Sequence, residues 1–363
     1  MKLIHCADLH LDSKMEANLN KEQAKERRGE LLATFERLVD YAAGNGVEAV
    51  LIAGDMFDKP HIRKEAKRRV MAAISENAGI QFYYIKGNHD KCDFIEEGID
   101  EVPDNLHLFD RDWISYEQGE VVITGVELLS SNSATVADRL VLDRAKTNIV
   151  MLHGQEVERD GKRDAELVNI TGLKDKGIDY LALGHIHSYS LKQLDDRGVY
   201  CYCGCLEGRG FDETGDKGFV LLEVNGGKIE SEFIPFADRR LHEIPVRVTV
   251  DMEMSDIVSE TRKAIAEADV DSKDMLKLVL TGERELDFEP DVNRIVRTFA
   301  SDYYFVKCYD RTKMFIDYES FKFDRSLKGE FVRLVQERED LSEEEKSGII
   351  ELGIKAIMGE DIE

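Results

Sequence analysis

The feature that most constrains this chain is a junction repeated along its first half, where short apolar runs stop on polar clusters. Residues 50–53 run into Gly54-Asp55, residues 82–85 precede Gly87-Asn88-His89-Asp90, residues 149–152 lead to His153, and residues 180–183 lead to Gly184-His185-Ile186-His187. Asp8-Leu9-His10 stands in the same relation to the opening strand. Runs this short and apolar read as buried strands. Between them lies a helical stripe of Leu31, Leu32, Phe35, Leu38, Val39 and Ala42, with Arg27, Arg28, Glu36 and Arg37 off it, and a second helix is expected over 63–78. Strands alternating with helices predict an α/β domain that delivers polar side chains at its carboxyl edge, where such sheets assemble their sites.

Farther along, the strands crowd together. Residues 106–126 and 199–234 carry Gly-rich turns such as Asn225-Gly226-Gly227, which suggests hairpins and a sandwich of two mixed sheets with helices outside. Beyond about residue 240 the texture changes to a β-α-β-α-β module: Val246, Val248 and Val250 alternate, a helix begins at Ser255, residues 276–280 form a strand, Pro290 opens a helix, and residues 303–308 form the last strand. Two short amphipathic helices follow, one with Leu327, Phe331, Leu334 and Val335 on a single face, the other opened by the Ser342 and Glu345 capping box. The expected domains are therefore 1–240, 241–322 and a helical tail at 323–363.

The clustered residues are metal-ligand types. In an extended segment residues two apart share a side, so Asp8 with His10, and His185 with His187, can converge on a cation. A carboxylate such as Asp55 at the end of a very apolar strand is costly to leave half buried unless something cationic meets it. The glycines allow the close turns that bring each ligand in. Mixed oxygen and imidazole donors suit manganese first, and iron or zinc as well, whereas the absence of a cysteine ligand disfavours structural zinc. His5, His61, His107 and His242 need no role, and Cys201, Cys203 and Cys205 alternate along a strand as reduced thiols rather than as a disulfide framework.

Charge sets a condition on the substrate. With 49 basic and 74 acidic residues the net charge is -25, which excludes a surface that holds nucleic acid by bulk electrostatics and requires a local basic face or metal ions instead. Arg63, Lys64, Lys67, Arg68 and Arg69, and then Arg159, Lys162 and Arg163, could flank the cleft, though such runs also serve as solvated helix faces. No apolar run reaches 18 residues and no signal peptide opens the chain, so a cytosolic protein is expected.

The order Asp-x-His, Gly-Asp, Gly-Asn-His-Asp, His, Gly-His-x-His resembles the calcineurin-like metallophosphoesterase superfamily from Asp8 to His187. The resemblance implies a four-layer αββα sandwich around two divalent metal ions. It places Asp8, His10 and His187 on one ion and Asn88, His153 and His185 on the other, with Asp55 bridging. His89 would donate a proton to the leaving oxygen, with Asp58 or Asp90 as orienting carboxylates. His5-Cys6-Ala7-Asp8-Leu9-His10-Leu11-Asp12, Ala53-Gly54-Asp55-Met56-Phe57-Asp58, and Gly204-Cys205-Leu206-Glu207-Gly208-Arg209 followed by Glu213, Gly215 and Lys217-Gly218 are similar to the SbcD-type DNA repair exonucleases. That branch departs from this chain at 203 and 205, where Pro or Ser is expected. It implies a DNA substrate, a cap near 245–320 that guides DNA, tail helices near 325–358 that dock on an SbcC-like coiled-coil ATPase, and a homodimer. A phosphodiesterase or phosphatase acting on a small nucleotide or phosphoprotein, and a DNA-end scaffold with little catalysis, are the competing functions.

Overall fold

The computed structural model describes residues 1–15, 19–58, 62–90, 102–158, 166–285 and 288–359, and its contacts divide the chain into two compact units, Met1–Leu241 and His242–Glu363. The first unit runs β1 (Lys2–Cys6), α1 (Lys21–Gly44), β2 (Ala49–Ala53), α2 (Lys64–Ser75), β3 (Gln81–Ile85), β4 (Leu106–Leu108), β5 (Ile114–Gln118), β6 (Val121–Gly125), α3 (Val136–Arg139) and β7 (Thr147–His153). It continues through β8 (Gln155–Val157), β9 (Leu167–Asn169), α4 (Ile170–Leu173), β10 (Tyr180–Gly184), β11 (Ser190–Gln193), β12 (Val199–Tyr202), β13 (Gly218–Asn225) and β14 (Lys228–Pro235). Two six-stranded sheets result, ordered β14-β13-β1-β2-β3-β4 and β11-β12-β10-β7-β6-β5.

The sheets stack because their strands are apolar on both sides. Along β2, Ala49, Leu51 and Ala53 face the second sheet, whereas Val50 and Ile52 face the helices, so every residue of the strand is buried. Strands covered on both faces read as continuous apolar runs rather than as alternation. Leu3, Leu51 and Tyr83 meet Ile123, Ile149, Met151 and Tyr180 between the sheets. Outside the first sheet lie α1 and α2, which pack Leu31, Phe35, Leu38, Val70 and Ile74 on Ile4, Val50, Ile52 and Phe82. Outside the second sheet the short helices α3 and α4 set Val136, Ile170 and Leu173 on Val150, Leu152, Leu181 and Leu183. This is the four-layer αββα sandwich.

Three local expectations for the first unit need correction. β5–β6 and β13–β14 are hairpins, but β4 pairs with β3, and β12 and β13 belong to different sheets, so the chain crosses between layers after β4 and again after β12. Helix α2 ends at Ser75 rather than 78. Its basic cluster is largely engaged: Arg63 donates to Asp12, Arg69 pairs with Glu36 at 2.6 and 2.8 Å, and Lys67 is buried. Arg159, Lys162, Arg163 and His61 lie outside the described residues.

Arg27 is the third correction, for it is fully buried rather than facing out. It pairs with Glu30, lies 3.4 Å from Glu207 and donates to the Gly208 carbonyl at 2.8 Å. Glu207 accepts in turn from the Thr34 hydroxyl at 2.8 Å and from the Asp238 amide at 2.5 Å, so α1, the 204–217 loop and the 236–240 segment share one buried ionic knot.

In the second unit β15 (Leu241–Val248), which starts at the junction, forms a sheet in the order β15-β16-β17, where β16 is Met275–Arg284 and β17 is Phe305–Asp310, and β18 (Lys313–Met314) adds to the end of β16. Helices α5 (Met254–Glu267) and α6 (Val292–Phe299) cover it through Ile257, Ile265, Ile295 and Phe299. A separate small cluster joins α8 (Leu327–Gln336) and α9 (Glu343–Met358), which follow α7 (Tyr318–Phe321). The Ser342 and Glu345 box caps α9. The buried stripe of α8 is Val332 and Val335; Leu327 and Leu334, expected on the apolar face, are exposed, because a helix pair has only one seam in which to bury side chains. Among the described residues no helix is long and apolar enough to cross a membrane.

Removing one partner of a buried ion pair leaves the other uncompensated, so Arg27→Ala is expected to cost about 3–5 kcal/mol. A urea titration of the metal-free chain measures it, and a change below about 1 kcal/mol, typical of exposed pairs, would show the knot to be solvated.

Candidate metal centre

Parallel register brings the ligands together. Beyond β1 and β2 the chain continues ladder-like, the Asp8 amide donating to the Gly54 carbonyl at 3.1 Å and the His10 amide to the Asp55 carbonyl at 2.9 Å. In the second sheet His153 stands opposite Gly184 across β7 and β10. The sheets then touch: His153 Nδ1 lies 2.8 Å from the Ala53 carbonyl oxygen, and a Cβ on Gly184 would collide with that same oxygen. The backbone is strained here, since Asp8, His10, Asp55 and His185 all have positive φ (51°, 42°, 51° and 95°), a conformation that non-glycine residues keep where the surroundings impose it.

Two groups of donor atoms result. Asp8, His10 and His187 place an oxygen or ring nitrogen within 4.8 Å of one another, with His10 Nε2 and His187 Nε2 3.2 Å apart. On the other side Asn88 Oδ1 lies 3.0 Å from His153 Nε2 and 3.3 Å from His185 Nδ1. Between them is Asp55, whose Oδ2 is 3.8 Å from His10 Nε2 and 3.4 Å from His153 Nε2, while Oδ1 accepts the His89 amide at 2.9 Å. All seven residues read from the sequence as ligands are thus brought to one edge.

His89 stands beside this set. Its Nδ1 is 3.2 Å from Asp58 Oδ1, which also lies 3.3 Å from His10 Nδ1. Of the two carboxylates named for orienting His89, Asp58 is the one in contact; Asp90 takes the amides of Met56, Phe57 and Gly87 at 2.9–3.2 Å and so fixes the loops that carry Asp55 and Asn88. His5, by contrast, is a core residue with Nδ1 2.9 Å from the Tyr180 hydroxyl, His107 stacks on Tyr83, and His242 pairs with Asp274. None of the five described cysteines is in a disulfide, and burial raises the thiols of Cys201, Cys203 and Cys205.

Sequence reading assigned Glu213 and Arg209 no role in the site. Glu213 Oε1 is 2.7 Å from His187 Nδ1, and Arg209 Nη2 donates to the same oxygen at 2.8 Å. Their signal was membership of the 204–218 motif similar to the SbcD-type exonucleases, which did not say what either residue touches.

The electrostatics fit divalent cations. Burial pushes the Asp8 carboxyl up to about 6 despite the pull of His153 and His187, so its negative charge is under-compensated. Burial holds His10 down at about 4, leaving a neutral ligand. Burial opposes ionisation of Asp55, but the hydrogen bond and charge of His153 hold its carboxyl well below the usual range. Burial likewise disfavours His153 as a cation, yet Asp55 lifts it to about 9. Glu213 holds the Nδ1 side of His187 and Asp58 lies 3.3 Å from Nδ1 of His10, and the two rings face each other through Nε2, an arrangement satisfied by a shared cation or a shared proton.

The sandwich and its convergent donors define a metal-dependent phosphoesterase. The family model for calcineurin-like phosphoesterases matches residues 1–189, and the chain belongs to that family. It is 29% identical to the Bacillus subtilis metallophosphoesterase YhaO over 257 residues, covering 67% of this chain and 61% of that protein's length. It is 26% identical to the DNA double-strand break repair protein Mre11 of Sulfurisphaera tokodaii over 303 residues (78% of this chain, 74% of that protein) and 27% identical to that of Methanococcus maripaludis over 298 residues (74% and 78%).

A metal ion taken up at His153 would have to displace the proton of that ring. Its folded value of about 9 lies above the ordinary 6.5, so the His153–Asp55 pair stabilises the metal-free fold fully below 6.5 and loses that contribution as pH rises through 9. Affinity for divalent ions is therefore expected to climb with pH to about 9 and then level off. About one proton should be released from this group on binding at pH 7, as read by calorimetry in buffers of different ionisation enthalpy. No proton release at pH 7 would mean that His153 is already neutral.

Proposed function

We propose that the chain is a metal-dependent DNA nuclease, an exonuclease of cytosolic DNA repair, that uses two divalent ions, manganese first. The supporting observation is the extent of the similarity: the family model stops at residue 189, whereas the likeness to Mre11 proteins covers 74–78% of the chain. A small-ester phosphodiesterase needs little beyond the first unit. When bound, two divalent ions supply a nucleophile at neutral pH and offset the charge of an in-line displacement at phosphorus.

The chain's own residues do the rest. Asp8, His10 and His187 would hold one ion and Asn88, His153 and His185 the other, with Asp55 available to both. Asp58 takes the Nδ1 hydrogen of His89 and so turns Nε2 of this half-exposed ring outward, where it can pass a proton to the leaving deoxyribose oxygen. The second unit supplies contacts to DNA. Its tail helices receive the coiled coil of an SbcC-like ATPase, a reading supported by the exposed Phe323, Leu327, Leu334 and Leu352. A homodimer belongs to the same proposal.

His89→Ala should lower manganese-dependent degradation of linear duplex DNA by about 10²–10⁴-fold, the usual worth of a general acid. Hydrolysis of an aryl phosphodiester, whose leaving group departs without a proton, should fall far less, and manganese uptake should not change. Wild-type turnover of the aryl ester with no DNA cutting would replace the nuclease by a small-substrate phosphodiesterase; DNA binding without either turnover would replace it by a scaffold. A chain ending after Phe323 should keep aryl-ester turnover and lose binding to a coiled-coil ATPase, and undiminished binding would remove the docking role.

A further inference from the structure

His187 is held from two directions by a single loop. Its carbonyl accepts from the buried Lys217 ammonium at 2.8 Å, and its ring nitrogen Nδ1 lies 2.7 Å from Glu213 Oε1. Glu213 has little freedom of its own. Arg209 donates to it from the backbone amide at 2.7 Å, from Nη2 at 2.8 Å and from Nε at 3.3 Å. Behind that clamp the loop is anchored on α1 through Glu207 and Arg27.

The ring must then choose between two neighbours. Arg209 Nη2 is 3.3 Å from His187 Nδ1 and could donate only to an unprotonated Nδ1, which would put the proton on Nε2. Glu213, an acceptor at 2.7 Å, requires the opposite tautomer. The shorter, charge-assisted contact prevails, and Arg209 spends Nη2 on the carboxylate instead. In the neutral ring this leaves the Nε2 lone pair turned toward His10 Nε2 and the Asp8 carboxylate, 3.2 and 3.9 Å away.

The other group of donors is backed differently. His153 Nδ1 faces the neutral carbonyl of Ala53, not a carboxylate. A carboxylate behind a metal-binding imidazole fixes its tautomer and raises its basicity, and loss of such a partner typically weakens metal binding. We propose that Glu213, clamped by Arg209, is a positioning residue that sets the His187 tautomer and thereby governs occupancy of the Asp8/His10/His187 position alone. The inference rests on the proposed two-ion centre, and Glu213 makes no contact with substrate in this role.

The test titrates manganese into the full-length metal-free chain, with free ion followed by electron paramagnetic resonance, and reads the histidine tautomers by long-range proton–nitrogen NMR. In the wild type two ions bind and His187 carries its hydrogen on Nδ1. In Glu213→Ala one ion binds as before and the other about 10–100-fold more weakly, while Glu213→Gln, which keeps an oxygen acceptor, recovers most of the difference. Equal affinities in wild type and Glu213→Ala, or parallel weakening of both ions, overturns the inference. So does a wild-type His187 with its hydrogen on Nε2, a reading that does not depend on any variant folding. A wild type that binds no ion overturns the two-ion reading itself, and is distinguished from the other failures by its flat titration.

Discussion

The Ala53 carbonyl oxygen is the point on which this molecule turns. The two sheets approach closely there, because Gly184 has no side chain and the His153 ring closes on the same oxygen. Gly54, with φ +93°, leaves room for that ring where any Cβ would strike it. Remove this approach and the carboxylates ending β1 and β2 would be separated from the imidazoles ending β7 and β10. The chemistry of the edge is thus a consequence of packing, since small residues on the inner faces let the layers pinch at one end.

Such an edge is costly without cations. Asp8 and Asp55 are almost fully buried, four non-glycine residues hold positive φ, and Asp55 lifts the buried His153 to about 9 against the pull of burial. Buried charges that compensate one another imperfectly favour any ion that satisfies both oxygen and imidazole donors. The strain and the under-compensated charge have the same relief, which is why the fold can carry both. Backing carboxylates extend this logic outward: Asp58 serves two imidazoles, Glu213 a third, and Arg209 lies 3.7 Å from the first and 2.8 Å from the second.

Much of this was legible because strand ends announce themselves. Apolar runs that stop on Gly, Asp, Asn and His leave few placements for those side chains, so the gathering of Asp8, Asp55, His153, His185 and their neighbours at one sheet edge could be expected from residue order, and the β-α-β-α-β module from its periodicity. What could not be read was pairing at long range. Which sheet takes β12 or β13 depends on partners rather than on alternation, since both sheets are buried on both faces. Arg27 sits where a helical wheel puts a solvated base, and two of the partners that account for its burial, Glu207 and the Gly208 carbonyl, lie 180 and 181 residues away. Glu213 is hidden for the same reason, its partner His187 being 26 residues earlier across a turn of the chain. On α8 the hydrophobic face was visible, but its two halves, Val332 with Val335 inside and Leu327 with Leu334 outside, are separated only by what packs against them.

The acidic balance of the chain bears on how it would meet a polyanion. At a net charge of -25 the bulk field repels phosphates, and the basic helix that could have offset it is engaged at Arg63 by Asp12 and at Arg69 by Glu36. Attraction must therefore be short-ranged and concentrated where charge is denser than any lysine side chain can make it. A donor set of two carboxylates, the Asn88 amide oxygen and four imidazoles could concentrate two doubly charged ions within a few ångströms, whereas the diffuse field of surface acids is screened beyond about 8–10 Å. On the proposed two-ion centre the ions would also supply the local affinity for a phosphate, so metal occupancy and substrate binding would be thermodynamically linked, each strengthening the other.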